Sequence, residues 1–346
     1  MKYFEKCLVP ALVCLGLFLV FSLVSGNQKP YTATTFVMDT VATQTVYGRR
    51  GAEAASAVED ALRGMDARLS LYNGTGDIAR LAQSAGSGEP VAVDPQTYAL
   101  LEQSKALAAQ TEGAFQLTVG PLTLAWGISG DTPRVPAQQE IDALLPLVDD
   151  AGLLLQDGTA RLRTAGQSVD LGGVAKGAAC DTAKALYTQY GISSALCWMG
   201  GSSIYAHGTK PDGSLWRIGF RDPAGDGNTS IASFEIRDAA FATSGGYERY
   251  FERDGVRYQH ILDPQTGRPT QTDIVSIGIL AESGLAADLW STALFVQGKE
   301  KALAYFAAGG EGLLLDEAGN LYVSAALQSS FSRADGAGEQ YQIIFL

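Results

Sequence analysis

Histidine is almost absent from this 346-residue chain, which contains only His207 and His260. A histidine-rich zinc centre is therefore excluded. Cysteine is nearly as scarce: of the four present, Cys7 and Cys14 fall in an apolar stretch near the amino end, leaving Cys180 and Cys197 in the body. Two cysteines so far apart do not make a disulfide framework, and they read either as one bridge or as two buried thiols. Positive charge is the third shortage. With 25 basic against 37 acidic residues, a net charge of −12 and no long Lys/Arg tract, the chain is a poor candidate for nonspecific nucleic-acid binding. A local site could still attract phosphate through a metal. The sequence also lacks a repeat period, a long linker, a complete phosphate-loop motif and a Rossmann glycine fingerprint.

What is present is enough for a large core. The hydrophobic fraction of 46% argues against wholesale disorder, and 40 glycines without a triplet period imply many shaped turns. Lys2 and Lys6 precede an apolar run from Leu8 to Val24, followed by Ser25, Gly26 and Asn27. That pattern over residues 1–27 reads as a cleaved signal peptide or a retained amino-terminal membrane anchor, and it implies export. No convincing lipoprotein signal accompanies it.

In the body, Tyr31 to Val37 and Val41 to Tyr47 read as strands around Met38, Asp39 and Thr40. Val58, Leu62, Met65 and Leu69 have the three- and four-residue spacing of an amphipathic helix. Tyr98 to Gln110, Gln138 to Leu147 and Ala175 to Tyr190 are further helical stretches. Gly113 to Trp126 is too rich in glycine and proline for one continuous helix. Strands are expected over Ala195 to Met199, Leu215 to Phe220, Ile231 to Ile236, Val256 to Leu262 and Ile274 to Leu280. Ala286 to Val296 reads as a helix that Gly298 interrupts before Ala302 to Ala307, and short strands follow around Leu313 to Leu315 and Leu321 to Val323. This order predicts one large α+β domain, two-lobed, over residues 31–330, with 331–346 as a carboxyl-terminal tail or extension.

Three loci carry chemistry. Val169 to Gly177 sets Asp170 and Lys176 around the Gly172-Gly173 turn before a helix, where exposed amides favour an anion such as a diphosphate; an ordinary strand-to-helix connection explains it equally well. Asp288 and Thr292, four residues apart, share one helix face, so their oxygens can approach one hard cation such as Mg²⁺, although a purely structural Asp and Thr fit the same spacing. Tyr258 to Pro269 delivers His260 and Asp263 into a turn, where either could take a proton; a plain hairpin with a satisfied histidine is the alternative. His207 has no such context and reads as structural or peripheral.

Taken in order, these segments resemble the ApbE family, the FAD:protein FMN transferases. The similarity runs from about Thr35 to beyond Phe306. It joins Met38-Asp39-Thr40, Gly113 to Leu122, Asp170 to Gly177, Met199-Gly200-Gly201, Thr243 to Tyr247, His260 to Pro269, and Asp288 with Thr292. The resemblance implies an ApbE-like fold that uses Mg²⁺ and FAD, the FMN donor, to attach FMN to a threonine hydroxyl of a partner protein and release AMP. It implies metal ligation by the Asp288 and Thr292 side chains, with main-chain oxygens of Gly173 and Ser291. It also implies FAD contacts from Met38, Ser70, Leu71, Tyr72, Ala114, Phe115, Gln116, Asp170, Lys176 and His260. The expected acceptor is a subunit of a membrane redox complex or another flavinylated protein, and the expected location is the periplasmic face of the bacterial inner membrane.

Within that reading His260 assists removal of the acceptor proton, Asp263 orients the turn or takes that role instead, and Lys176 supplements charge stabilisation. Two other functions stay open: a Mg²⁺-dependent FAD diphosphatase, and a carrier that holds FAD without cleaving it. The chain departs from the family at Cys197-Trp198-Met199-Gly200-Gly201, where Asn-Val-Gly-Gly is more usual, and at Leu71 and Asn73.

Overall fold

The computed structural model describes residues 29–72, 74–130, 132–225 and 229–346. The leader expected over 1–27 and the departure at Asn73 lie outside the described residues. Among the described residues no helix is long and apolar enough to cross a membrane.

The fold is α+β, organised on a nine-stranded sheet. Its strands are β1 (Tyr31–Val37), β2 (Thr40–Tyr47), β3 (Ser194–Met199), β4 (Ser203–Gly208), β7 (Ala239–Gly245), β8 (Ile274–Ala281), β9 (Glu311–Asp316), β10 (Asn320–Val323) and β12 (Gln342–Phe345), in spatial order β1-β2-β3-β4-β7-β8-β9-β10-β12. All neighbours are antiparallel except β10 and β12. Strand β2 has one covered face: Ala42, Gln44 and Val46 are buried, while the residues between them are more open, the period of two that this requires.

Helices α1 (Gly51–Leu69), α2 (Ala175–Gln189), α3 (Gly284–Gln297) and α4 (Lys299–Ala307) pack on one face. Val58, Leu62, Met65 and Leu69 form the buried stripe of α1, as their spacing predicts. Helix α3 is apolar almost all round because it is wedged between the sheet and α2. A smaller sheet, β5 (Trp216–Arg221), β6 (Ser230–Ile236) and β11 (Ser332–Arg333), covers part of the opposite face through a second apolar cluster that includes Trp216, Phe220, Phe234 and Phe241.

Two boundaries differ from the sequence reading. Residues 331–346, expected as a tail or extension, carry two paired strands: β11 pairs with β6, and β12 adds a parallel strand to β10, with Ile343 and Ile344 opposite Leu321 and Tyr322. The apolar run Ile343-Ile344-Phe345 supplies a strand-forming segment that the short terminal length concealed. The strand expected over Val256 to Leu262 is broken. Its first part, Val256–Gln259, pairs with Tyr250–Arg253, and Leu262–Asp263 pairs instead with Arg268–Pro269. His260 sits at the break. The Gly113 to Trp126 stretch is, as expected, not one helix: a 3-10 turn over Leu117–Val119 precedes a helix over Gly120–Trp126. Cys180 and Cys197 are both buried free thiols.

Candidate active site

One cavity gathers the three loci. Its floor is where α2 and α3 cross. Gly177 on α2 and Gly284 on α3 meet so closely that a Cβ on Gly177 would lie 2.1 Å from the Gly284 carbonyl oxygen and 2.8 Å from Asp288 Cβ. That approach lets the Gly177 N–H donate to Asp288 Oδ2 at 2.9 Å, while Ser203 Oγ lies 3.4 Å from Oδ1. Asp181 on α2 fixes the start of α3, accepting from Ser283 Oγ and from the Gly284 and Leu285 amides at 2.7 to 3.0 Å. Burial drives the Asp288 carboxyl above its ordinary pKa range, and the Lys176 ammonium and the Gly177 amide oppose that shift.

Thr292 lies one helical turn beyond Asp288 and also lines the cavity. Its Oγ1 is 3.3 Å from Ser244 Oγ, and a Cβ added to Gly173 would come to 3.4 Å from it. The Gly173 backbone thus borders the same space. The Ser291 hydroxyl is turned to other partners: fully buried, it bonds Ser244 at 2.9 Å and the Asp288 carbonyl.

The Asp170 turn closes one side. Asp170 Oδ1 accepts from the Gly172 amide at 2.8 Å and Oδ2 from Thr123 Oγ1 at 2.7 Å. Lys176, on the first turn of α2, has Nζ 3.5 Å from the Gly172 carbonyl. Opposite it, Met38 and Asp39 form the two-residue turn between β1 and β2 with φ of 54° and 53°. Positive φ at both positions is what a tight hairpin of this twist demands; aspartate tolerates it, whereas Met38 is not a residue that adopts it cheaply. Arg249 Nη2 donates to the Asp39 carbonyl at 2.9 Å and holds that turn.

The Arg249 carbonyl in turn accepts from the His260 backbone N–H at 3.0 Å and lies 3.1 Å from His260 Nδ1. A carbonyl oxygen only accepts, so Nδ1 carries the proton and Nε2 keeps the lone pair. Burial, reinforced by the Lys176 ammonium, depresses the His260 pKa to about 4, so the ring is neutral at physiological pH. Asp263 is used differently. Its carboxylate accepts from the Gln265 amide at 2.8 Å and the Thr266 hydroxyl at 3.0 Å, shaping the turn, and it does not line the cavity.

Met38, Ser70, Leu71, Tyr72, Ala114, Phe115, Gln116, Asp170, Gly173, Lys176, His260, Asp288 and Thr292 therefore all face one space, with Asp263 and Ser291 outside it. Tyr72 is 54% exposed and offers an aromatic face at the rim. His207 is remote, its Nε2 bonded to the Ile192 carbonyl at 2.8 Å. Arg249, Thr123 and Ser244 were missed as site residues. The Thr243 to Tyr247 motif pointed at the last, whereas Arg249 and Thr123 carry no local signature because each acts through a partner distant in sequence.

The lining charges are lopsided. Asp39, Asp66, Asp170, Glu248 and Asp288 face only Lys176 and Arg249, with His260 neutral; Glu248 is paired to Arg221 at 2.9 Å. A diphosphate entering here needs added positive charge. Among the described residues no group of three or more His, Cys, Asp or Glu is poised to hold a metal. One buried carboxylate with a neighbouring hydroxyl and a bordering backbone is nonetheless an all-oxygen set. It fits a hard cation that keeps water and phosphate oxygens for its remaining positions.

The site is an acidic, oxygen-lined cavity of an α+β domain, set between a tight helix pair and a strained hairpin. The ApbE family model matches residues 38–314, and the chain belongs to that family. It is 37% identical over 298 residues to the FAD:protein FMN transferase of Treponema pallidum, covering 81% of this chain and 82% of the relative. The crystal structure of the ApbE protein of Thermotoga maritima superposes with a TM-score of 0.79 at 33% identity, covering 86% of this chain and 97% of that one. The flavinyl transferase ApbE of Pseudomonas stutzeri, in its apo form, gives 0.75 at 31% identity, covering 84% and 92%.

Proposed function

We propose that this FAD:protein FMN transferase uses Mg²⁺ to move the FMN moiety of FAD onto a threonine hydroxyl of a partner redox protein, releasing AMP. The acceptor class is a subunit of a membrane redox complex, met on the periplasmic face of the inner membrane. The observation that carries the reading is the meeting of Asp288 and Thr292 with Lys176 and His260 around one acid-rich cavity.

Asp288, Thr292 and the Gly173 backbone would hold Mg²⁺, which when bound supplies positive charge to the diphosphate and its leaving group. Lys176 sits at the start of α2, where its ammonium and the positive end of the helix dipole favour a phosphate. The Tyr72 ring is suited to stack on a flat ring system. The threonine oxygen attacks the FMN-side phosphorus, its proton passes to His260 Nε2, and the bond to the bridging oxygen breaks so that AMP departs. Arg249 fixes the His260 tautomer through its carbonyl and positions the Met38-Asp39 turn through its guanidinium.

Intact-protein mass spectrometry after incubation with FAD, Mg²⁺ and a threonine-containing acceptor tests this. An FMN adduct lost on acceptor Thr→Ala is expected. AMP release without an adduct would point to a diphosphatase, and FAD binding with neither product to a carrier.

A further inference from the structure

The smaller sheet covers only part of the face opposite the helices. Tyr47 and Leu196 pack against its cluster, and Tyr47 meets Trp216 at a ring separation of 6.3 Å. Towards the Met38-Asp39 end of the same strands the cover stops. There Phe36 is 68% exposed, Val41 50% and Trp198 46%. They form one patch. Phe36 and Val41 are direct cross-strand partners, Thr43 is opposite Trp198, and Val41 and Trp198 are therefore diagonal neighbours on one face. Scattered exposed apolar residues are ordinary, but three large ones side by side on a flat sheet, two of them aromatic, form the kind of surface that meets another protein.

The patch is continuous with the cavity mouth. The Met38-Asp39 turn that joins Phe36 to Val41 lines the cavity, and so does Gly200, whose amide donates to the Val41 carbonyl at 3.0 Å. A Cβ on Gly201 would lie 3.9 Å from Trp198 Nε1, so the indole sits beside the Gly200-Gly201 turn. A macromolecular acceptor that brings a hydroxyl to this mouth must rest on the surface around it.

We propose that Phe36, Val41 and Trp198 form the docking surface for the acceptor protein, which lays an apolar patch of its own against them while its threonine enters the cavity. This rests on the transferase reading. Trp198 then sets affinity for the acceptor without touching FAD, and its place in the segment that departs from the family's usual Asn-Val-Gly-Gly makes the surface particular to this chain's partner.

The test uses the full chain and the redox protein it flavinylates in the mass-spectrometric assay, alongside a short synthetic peptide containing the same threonine. Trp198→Ser and Phe36→Ser should each raise the KM for the acceptor protein at least tenfold. The KM for FAD, the thermal midpoint and the slow transfer to the peptide should stay unchanged, and Trp198→Phe should restore most of the loss. An unchanged acceptor KM in both serine variants overturns the docking surface while leaving the transferase reading intact. Sedimentation showing a wild-type dimer that Trp198→Ser dissociates also overturns it, because the occupant is then a second copy. A wild-type chain that binds FAD but transfers nothing to any acceptor overturns the transferase reading and this inference with it.

Discussion

The floor of the cavity and its loop wall are built by opposite means. On the floor, two regular helices are locked at one crossing by Gly177 against Gly284 and by the Asp181 cap, and the Asp288 carboxylate receives a backbone N–H from the neighbouring helix. On the wall, Met38 and Asp39 hold unfavourable backbone angles, and Arg249 ties their turn to His260. The contrast separates two tasks. A cation and a diphosphate need fixed oxygens and charges at set distances, which packed helices deliver. An incoming protein hydroxyl needs a base that borders the cavity, which turns deliver at the cost of strain.

If the floor does the heavier work, Asp288→Asn breaks the comparison most. The amide keeps an oxygen for the Gly177 N–H, so the fold should persist with an unchanged melting temperature. Loss of the charge should lower kcat/KM for FMN transfer on the order of 10³-fold, and added Mg²⁺ should not restore it. A fall of less than tenfold would remove Asp288 from the chemistry.

His260→Asn probes the wall and should cost about 10²-fold in kcat with little change in FAD affinity. The pH profile sharpens the point. A base with its pKa depressed to about 4 stays unprotonated well below neutrality, so the acidic limb of kcat/KM should lie near pH 4 rather than near 6.5. Lys176→Gln removes a positive neighbour, eases protonation of the ring and should move that limb upwards. The sign for stability is also fixed. The folded pKa lies below the unfolded one, so the stability contribution is intact above about 6.5 and is lost as pH falls from there towards 4.

The same contrast explains what the sequence made legible. Asp288 and Thr292 could be placed together from spacing alone, since four residues on a helix leave little freedom. The Asp170 to Gly177 turn could be read as a helix start for the same local reason. No spacing argument reaches the wall. His260 was legible as a candidate proton acceptor from its own turn segment, but its tautomer depends on the carbonyl of Arg249 across a hairpin whose break the strand-like run from Val256 to Leu262 hid. The role of Gly177 was equally invisible, because a close helix crossing is a relation between α2 and α3 and leaves no mark in either helix's own periodicity. The carboxyl-terminal strand β12 escaped notice because its apolar run is only a few residues long, and its pairing with β10 spans a connection that contains β11.

Gly177→Ala tests whether the floor's rigidity matters. In an exposed helix this change would stabilise by about 1 kcal/mol, but here the new methyl meets a backbone carbonyl that cannot move aside. The clash should win, with a net loss of about 1–3 kcal/mol in urea unfolding and roughly a tenfold drop in kcat as Asp288 shifts. A variant as stable and active as the parent would mean that the two helices can separate without consequence.

The smallest effect is expected at Asp263, and it decides between the two roles this residue was given. Both carboxylate oxygens are engaged within its own turn, to the Gln265 amide and the Thr266 hydroxyl. Asparagine can keep the first bond through its oxygen and remake the second by donating its amide to the threonine oxygen. Asp263→Asn should therefore cost no more than about 1 kcal/mol of stability and leave transfer within a few-fold of the parent, whereas Asp263→Ala, which frees the turn beside His260, should lower kcat further. A hundredfold loss in the asparagine variant at unchanged melting temperature would show instead that a negative charge at this position takes part in the reaction, and proton removal would then belong to a pair of wall residues rather than to His260 alone.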